Sequence, residues 1–206
     1  MQINTLAAFA ALTIAAAAPT LARAADEHRE LGPHVHGHGN LNIAVENKRV
    51  SMELEVPGMD IVGFEHDATT DDQKVAMEKA KAQLAQPLAV FKLPAAAGCT
   101  VADAKVELQA EHHHDGDADD DHDNDHDHDK AAGADHDHAE HEGHKEFHVT
   151  YALDCAKPAS ITAIDFDYFK MFAGAHDLTV NVVTAKAQNS YEVSRDAPSL
   201  DLAGIM

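Results

Sequence analysis

The chain is poor in positive charge: 15 Lys and Arg stand against 36 Asp and Glu in 206 residues, for a formal net charge of -21. Nucleic acid and anionic membrane surfaces are bound through Lys and Arg that neutralise phosphates, so neither is an expected partner. Long apolar runs are missing as well. Leu6 to Ala18 is too short to span a bilayer, and no other stretch approaches the required ~20 residues, so no transmembrane helix is expected. The sequence contains no H-E-x-x-H, no nucleophile elbow, no C-x-x-C and no internal repeat, which removes the usual local signs of a zinc protease, an α/β hydrolase or a thiol redox site.

What is present starts with an export signal. The apolar run Leu6 to Ala18 is followed by Pro19 and by the small-x-small pattern Ala22-Arg23-Ala24, so residues 1–24 read as a secretory signal peptide, although the leading MQINT has no Lys or Arg. No Cys sits at the cleavage point, and a lipid anchor is not expected. The whole sequence is 45% hydrophobic, and the mature chain, 25–206, has room for a single domain with a real core. Cys99 and Cys155 are the only cysteines. An even count in an oxidising compartment points to a disulfide between them.

Strand patterns dominate the rest. Leu41, Ile43 and Val45 alternate, Glu46-Asn47-Lys48 turns, and Val50, Met52, Leu54 and Val56 alternate again, which predicts a hairpin ended by Pro57-Gly58. Phe147, Val149, Tyr151, Leu153 and Cys155 form another alternating run. Val106 and Leu108 have the opposite parity to Cys99 and Val101, so that arm needs a bulge or a break near Ala102 to Ala104. Further strands are expected at Ile161 to Phe166, Leu178 to Val183, Ser190 to Val193 and Leu200 to Leu202. One helix is predicted from Thr70 as N-cap, with Gln73 completing a capping box and Ala76, Ala80 and Leu84 on one face before Pro87; a helical turn near Leu88 to Phe91 is also compatible. The expected fold is mainly β, an antiparallel β-sandwich or open barrel with one packed α-helix.

The two cysteines bracket a segment unlike the rest. From Glu111 to Glu146 there are 15 Asp and Glu against Lys130 and Lys145, and ten of the chain's 17 histidines: His112, His113, His114, His122, His126, His128, His136, His138, His141 and His144. With nothing larger than Ala to bury before Phe147, this segment is expected to be a long disordered loop of a hairpin. Imidazole titrates near ~6.5, so at neutral pH most of these rings offer a lone pair, and imidazole with carboxylate is a ligand set for Zn(II), Ni(II) or Cu(II). An ordinary acidic spacer has no need of ten imidazoles. Calcium would account for the aspartates alone, and an EF-hand reading fails at His122 and His128; His141-Glu142-Gly143-His144 is H-E-x-H, which does not place both rings on one helical face. A pH-sensing role uses the same nitrogens and is coupled to metal binding.

A second cluster, His34-Val35-His36-Gly37-His38, precedes the first strand. At strand spacing its three rings share a face, which predicts a metal grip, with Glu65 and His66 as further ligands. His28, His148 and His176 are isolated and are read as ordinary surface or core histidines.

The stretch HVHGHGNLNIAVENKRVSMELEVPGMDIVGFEH (34–66), the Thr/Asp-led helix, AAAGCTV (95–101), a His/Asp tract, LDCAKPASI (153–161) and the FDYFKMF turn, in this order, resemble the ZrgA-type family of bacterial zinc-binding periplasmic proteins. The resemblance implies binding of several Zn(II) ions, a supporting role in zinc uptake beside an ABC importer and its solute-binding protein, a periplasmic location and no catalysis. Two other classes compete: an exported metal-dependent hydrolase, which needs three fixed ligands, an open position and a general base in a cleft, and an adhesion or structural sandwich with an incidental tract. Binding of another divalent metal is the nearest alternative within the metal-binding class.

Overall fold

In the computed structural model, which describes residues 35–110 and 144–206, the first alternating runs become β1 (His38–Glu46) and β2 (Arg49–Pro57), paired antiparallel through Asn47 in a left-handed conformation at φ 54°. Asn is one of the few non-glycine residues that tolerate this region. The signal-peptide segment, His34 and the tract from Glu111 to Gly143 lie outside the described residues.

A five-residue helix, α1 (Gly58–Val62), follows at once, then α2 (Asp71–Leu84), the one-turn α3 (Pro87–Val90) and the short β3 (Phe91–Lys92). The capping box of α2 is present: Gln73 N–H donates to Thr70 Oγ1 at 3.2 Å, and Thr70 N–H donates to Gln73 Oε1 at 3.1 Å. Its buried face is Met77, Ala80 and Leu84. Then come β4 (Cys99–Ala110), β5 (Lys145–Cys155), β6 (Ala163–Phe166), the single turn α4 (Tyr168–Met171), β7 (Asp177–Val183), β8 (Gln188–Ser194) and β9 (Ser199–Asp201).

Two sheets result, a six-stranded one in the order β4-β5-β2-β1-β7-β8 and a three-stranded one in the order β3-β6-β9. The mainly β, two-sheet architecture agrees with the alternating runs. One pairing differs from the expected antiparallel set: β1 and β7 run parallel, from His38 opposite Asp177 to Ala44 opposite Val183. Parallel neighbours need a long connection, and five strands of chain lie between these two. The β4–β5 hairpin forms as expected, with Cys99 opposite Cys155 and joined to it by a disulfide, and with Ala110 opposite Lys145 at the end nearest the tract. The parity conflict on β4 is resolved by a bulge: the register shifts between Val101 and Asp103, after which Val106 and Leu108 face the core side.

One face of the large sheet is apolar and buried, carrying Leu41, Ile43, Met52, Leu54, Phe147, Val149, Leu153, Leu178 and Val180. Over it pack α2 and the aromatic residues of the small sheet. Tyr151 O–H donates to the Leu84 carbonyl at 2.8 Å, tying the end of α2 to β5, and the ring of Phe91 meets those of Tyr151 and Phe166 edge-on at 6.2 and 5.6 Å. The opposite face is polar. A single cross-strand row, Glu107–His148–Glu55–Asn40–Thr179–Glu192, crosses all six strands.

Candidate metal centre

The histidine-bearing segment before β1 does not extend the strand as a straight run. His38 N–H donates to the Val35 carbonyl at 3.0 Å, and Gly37 takes φ 88°, a turn that glycine adopts without a Cβ penalty. This turn is fixed from three sides: Gly37 N–H donates to Asp60 Oδ1 at 2.7 Å, and the Gly37 carbonyl accepts from His176 N–H at 2.8 Å and Asp177 N–H at 3.0 Å. A Cβ on Gly37 would stand 2.8 Å from His176 Cδ2. Asp60 is buried in α1, and burial pushes its carboxyl above the ordinary carboxylate range while the Gly37 N–H works in the opposite direction.

The turn sends His36 and His38 to different places. His36 meets Glu65, whose backbone is held by Lys145 N–H donating to its carbonyl at 3.0 Å. Gly58 makes this approach possible, because a Cβ there would lie 2.7 Å from both the Lys145 and the Phe64 carbonyl oxygens. The start of β5 is thereby brought beside Glu65, and with it His144. His36 Nε2 lies 3.0 Å from Glu65 Oε1, and His144 Nδ1 lies 2.5 Å from Glu65 Oε2. The carboxylate is 8% exposed and the two imidazoles 52% and 55%. A buried carboxyl group therefore anchors two rings that remain reachable from solvent. All three ligand atoms lie within 4.8 Å of one another, and two imidazoles with one carboxylate form a donor set that suits Zn(II), with coordination positions left for water or another ligand.

His38 instead starts β1 on the polar face of the sheet. Its Nδ1 contacts Asp177 Oδ1, and Thr179 Oγ1, which donates to Glu192 Oε1 at 2.8 Å, lies 3.1 Å from its Nε2. His66 joins neither group: its ring stacks on Phe64 with centroids 5.1 Å apart, and its Nδ1 lies 2.8 Å from the Asp67 carbonyl. Of the strand-spaced grip of His34, His36 and His38, the last two are thus divided, because Gly37 turns the chain where strand alternation requires it to run straight; His34 lies outside the described residues. Glu65, offered with His66 as a further ligand, stands beside His36. His144, read as part of the tract, proves to belong to the fold-borne group, while the tract residues His112, His113, His114, His122, His126, His128, His136, His138 and His141 lie outside the described residues. Among the described residues, two groups were missed in the sequence, His38 with Asp177 and Glu192, and His148 with Glu53 and Glu55. Their signal was the polar parity of the strands, which names the face but not the neighbour.

A two-sheet β framework with surface groups of imidazole and carboxylate that could hold a divalent ion defines the class. The family described as ZrgA family zinc uptake protein matches residues 33–202, and the chain belongs to this family. No curated protein gives a significant match. A zinc-related role follows from the family, and among the described residues no helix is long and apolar enough to cross a membrane.

Proposed function

We propose that the protein is a non-catalytic, periplasmic Zn(II)-binding protein that collects zinc through its His/Asp tract, holds an ion between His36, Glu65 and His144, and supplies it to the solute-binding protein of a zinc ABC importer. The observation that carries this reading is the position of His144. The last histidine of the tract shares a buried carboxylate with a histidine fixed by the Gly37 turn, so a ligand exchange from tract to fold needs only local movement. The oxidised Cys99–Cys155 pair supports an extracytoplasmic location. Against a hydrolase, Asp60, a carboxyl that feels both His36 and Glu65 electrostatically, is buried and holds the Gly37 N–H, an arrangement that suits a structural role better than that of a general base.

The same nitrogens bind a proton or a metal, so zinc affinity falls as the medium is acidified. The test is zinc calorimetry at pH 7.5 on the full chain, with Ni(II), Cu(II) and Co(II) as competitors, compared with the variant His36→Ala plus His144→Ala. The expected result is loss of one tight equivalent in the variant. Unchanged stoichiometry and affinity would remove these residues from the mechanism.

A further inference from the structure

The polar face of the large sheet carries histidine and carboxylates beyond the centre just described. In the His38 group, Thr179 donates its hydroxyl proton to Glu192, so it accepts from His38 Nε2, while Nδ1 faces Asp177. Both ring nitrogens thus already have a hydrogen-bonding partner within the group.

The His148 group is arranged differently. His148 on β5 stands directly opposite Glu55 on β2, with Glu53 two residues along the same face. Directly opposite residues on a sheet face bring their Cβ atoms to about 5 Å, and i, i+2 residues lie about 7 Å apart, so the three side chains converge from two rigid, central strands. His148 Nε2 is 2.7 Å from Glu53 Oε1 and 3.9 Å from Glu55 Oε1. These separations bracket the ~3.3 Å between ligands that tetrahedral Zn bonds of about 2.0 to 2.1 Å require. On the other side of the ring, Gln109 Nε2 lies 3.1 Å from Nδ1. That bond leaves Nε2 as the protonated nitrogen, the one pointing at both carboxylates. A change of tautomer that moves this single proton from Nε2 to Nδ1 frees the Nε2 lone pair for a metal, and with the Gln109 amide turned so that its oxygen accepts from Nδ1–H it gives a ligating histidine oriented through its second nitrogen, the usual outer-shell arrangement. Lys105, the neighbouring cation on β4, is paired with Glu107 at 2.8 Å.

We propose that His148, Glu53 and Glu55 form a second divalent-metal site on the polar face of the sheet, separate from His36–Glu65–His144, which takes Zn(II) or a similar first-row ion through one imidazole nitrogen and two carboxylates. One imidazole with two carboxylates is an oxygen-rich set that discriminates less between zinc and other first-row divalent ions than a two-imidazole centre. The site lies three residue pairs from the Ala110–Lys145 end of the β4–β5 hairpin, beside the point where the tract joins the fold. It stands independently of the first centre.

The experiment is a titration of the full chain with zinc alone, followed by histidine ring ¹⁵N spectra, with the His148 signals assigned by the variant His148→Gln. The expected result is that the Nε2 signal of His148 moves to a metal-bound position while Nδ1 becomes the protonated nitrogen, and that Glu53→Gln plus Glu55→Gln abolishes both changes without altering the shifts of His36 and His144. Both glutamates lie on the outer face, and circular dichroism checks that the fold is kept. A His148 ring unmoved at saturating zinc, or one that moves equally in the glutamine variant, overturns the site. Movement of His148 with His36 and His144 unmoved retains it and refutes the first centre instead.

Discussion

At the scale of single residues, the proposed metal centre depends on groups outside its ligand set. His36 is placed by Gly37, and Gly37 by the Asp60 carboxyl that accepts its N–H at 2.7 Å inside the fold. Asp60→Ala leaves that buried donor unpaired, at a cost of about 1 to 3 kcal/mol, and frees the turn that aims His36. The expected outcome is a lower urea midpoint together with weaker zinc binding at His36–Glu65–His144, whereas Asp60→Asn, which keeps an acceptor oxygen for Gly37, retains most of both. Gly37→Ala acts on the same turn from the other side: the positive φ and the approach of the His176 ring at 2.8 Å predict destabilisation of at least about 1 kcal/mol, read in the same titration. Equal zinc affinity in Asp60→Ala and wild type would show that the turn does not position the ligand.

At the scale of elements, alternation in Leu41 to Val56 and Phe147 to Cys155 was enough to place β1, β2 and β5, and the parity conflict between Val101 and Val106 was enough to locate the bulge of β4, because both are local consequences of a period of two. The α2 boundaries followed from Thr70, Gln73 and Pro87, which are likewise local signals. The parallel meeting of β1 with β7 was not legible, since the pattern of a strand says which face is buried and nothing about its neighbour in the sheet. For that reason Asp177 could not be placed beside His38, nor Glu55 beside His148. The α1 turn was also missed: Pro57-Gly58 signalled an end of strand, and the helix that follows is only Gly58–Val62. The β4–β5 ladder, continuous in pairing from Asp103–Ala152 to Ala110–Lys145, predicts that the tract is dispensable for folding. Deleting residues 112–143, which retains His144, should leave the dichroism spectrum unchanged and alter stability by no more than about 2 kcal/mol, in the stabilising direction, because a shorter loop costs less to close. Several equivalents of zinc should be lost with it. Unfolding of this deletion would mean that the tract contributes to the core.

At the scale of the whole molecule, the tract and the disulfide are coupled through the chain between them. Cys99 and Cys155 are 56 residues apart, and in the chain-entropy account a closed loop of that length stabilises the fold by about 4 kcal/mol. The variant Cys99→Ala plus Cys155→Ala should accordingly melt about 10 °C below the wild type, and the same loss is expected for protein made in a reducing compartment. Most of that loop is the tract itself. Removing 112–143 shortens the closed loop to 24 residues, for which the same relation gives about 3.5 kcal/mol. The disulfide should therefore be worth less, by about 0.7 kcal/mol, in the deletion than in the full chain, which a thermodynamic cycle of the two changes measures directly by urea unfolding. Zinc adds to the cycle from the folded side. An ion shared by His36, Glu65 and His144 binds the native chain and stabilises it by mass action, so chelation should lower the melting temperature of wild type and deletion alike, while the variant His36→Ala plus His144→Ala responds less. A disulfide of equal worth in both backgrounds would indicate that the tract does not behave as free chain in the unfolded state, and would place residual structure in a segment whose composition gives it nothing to bury.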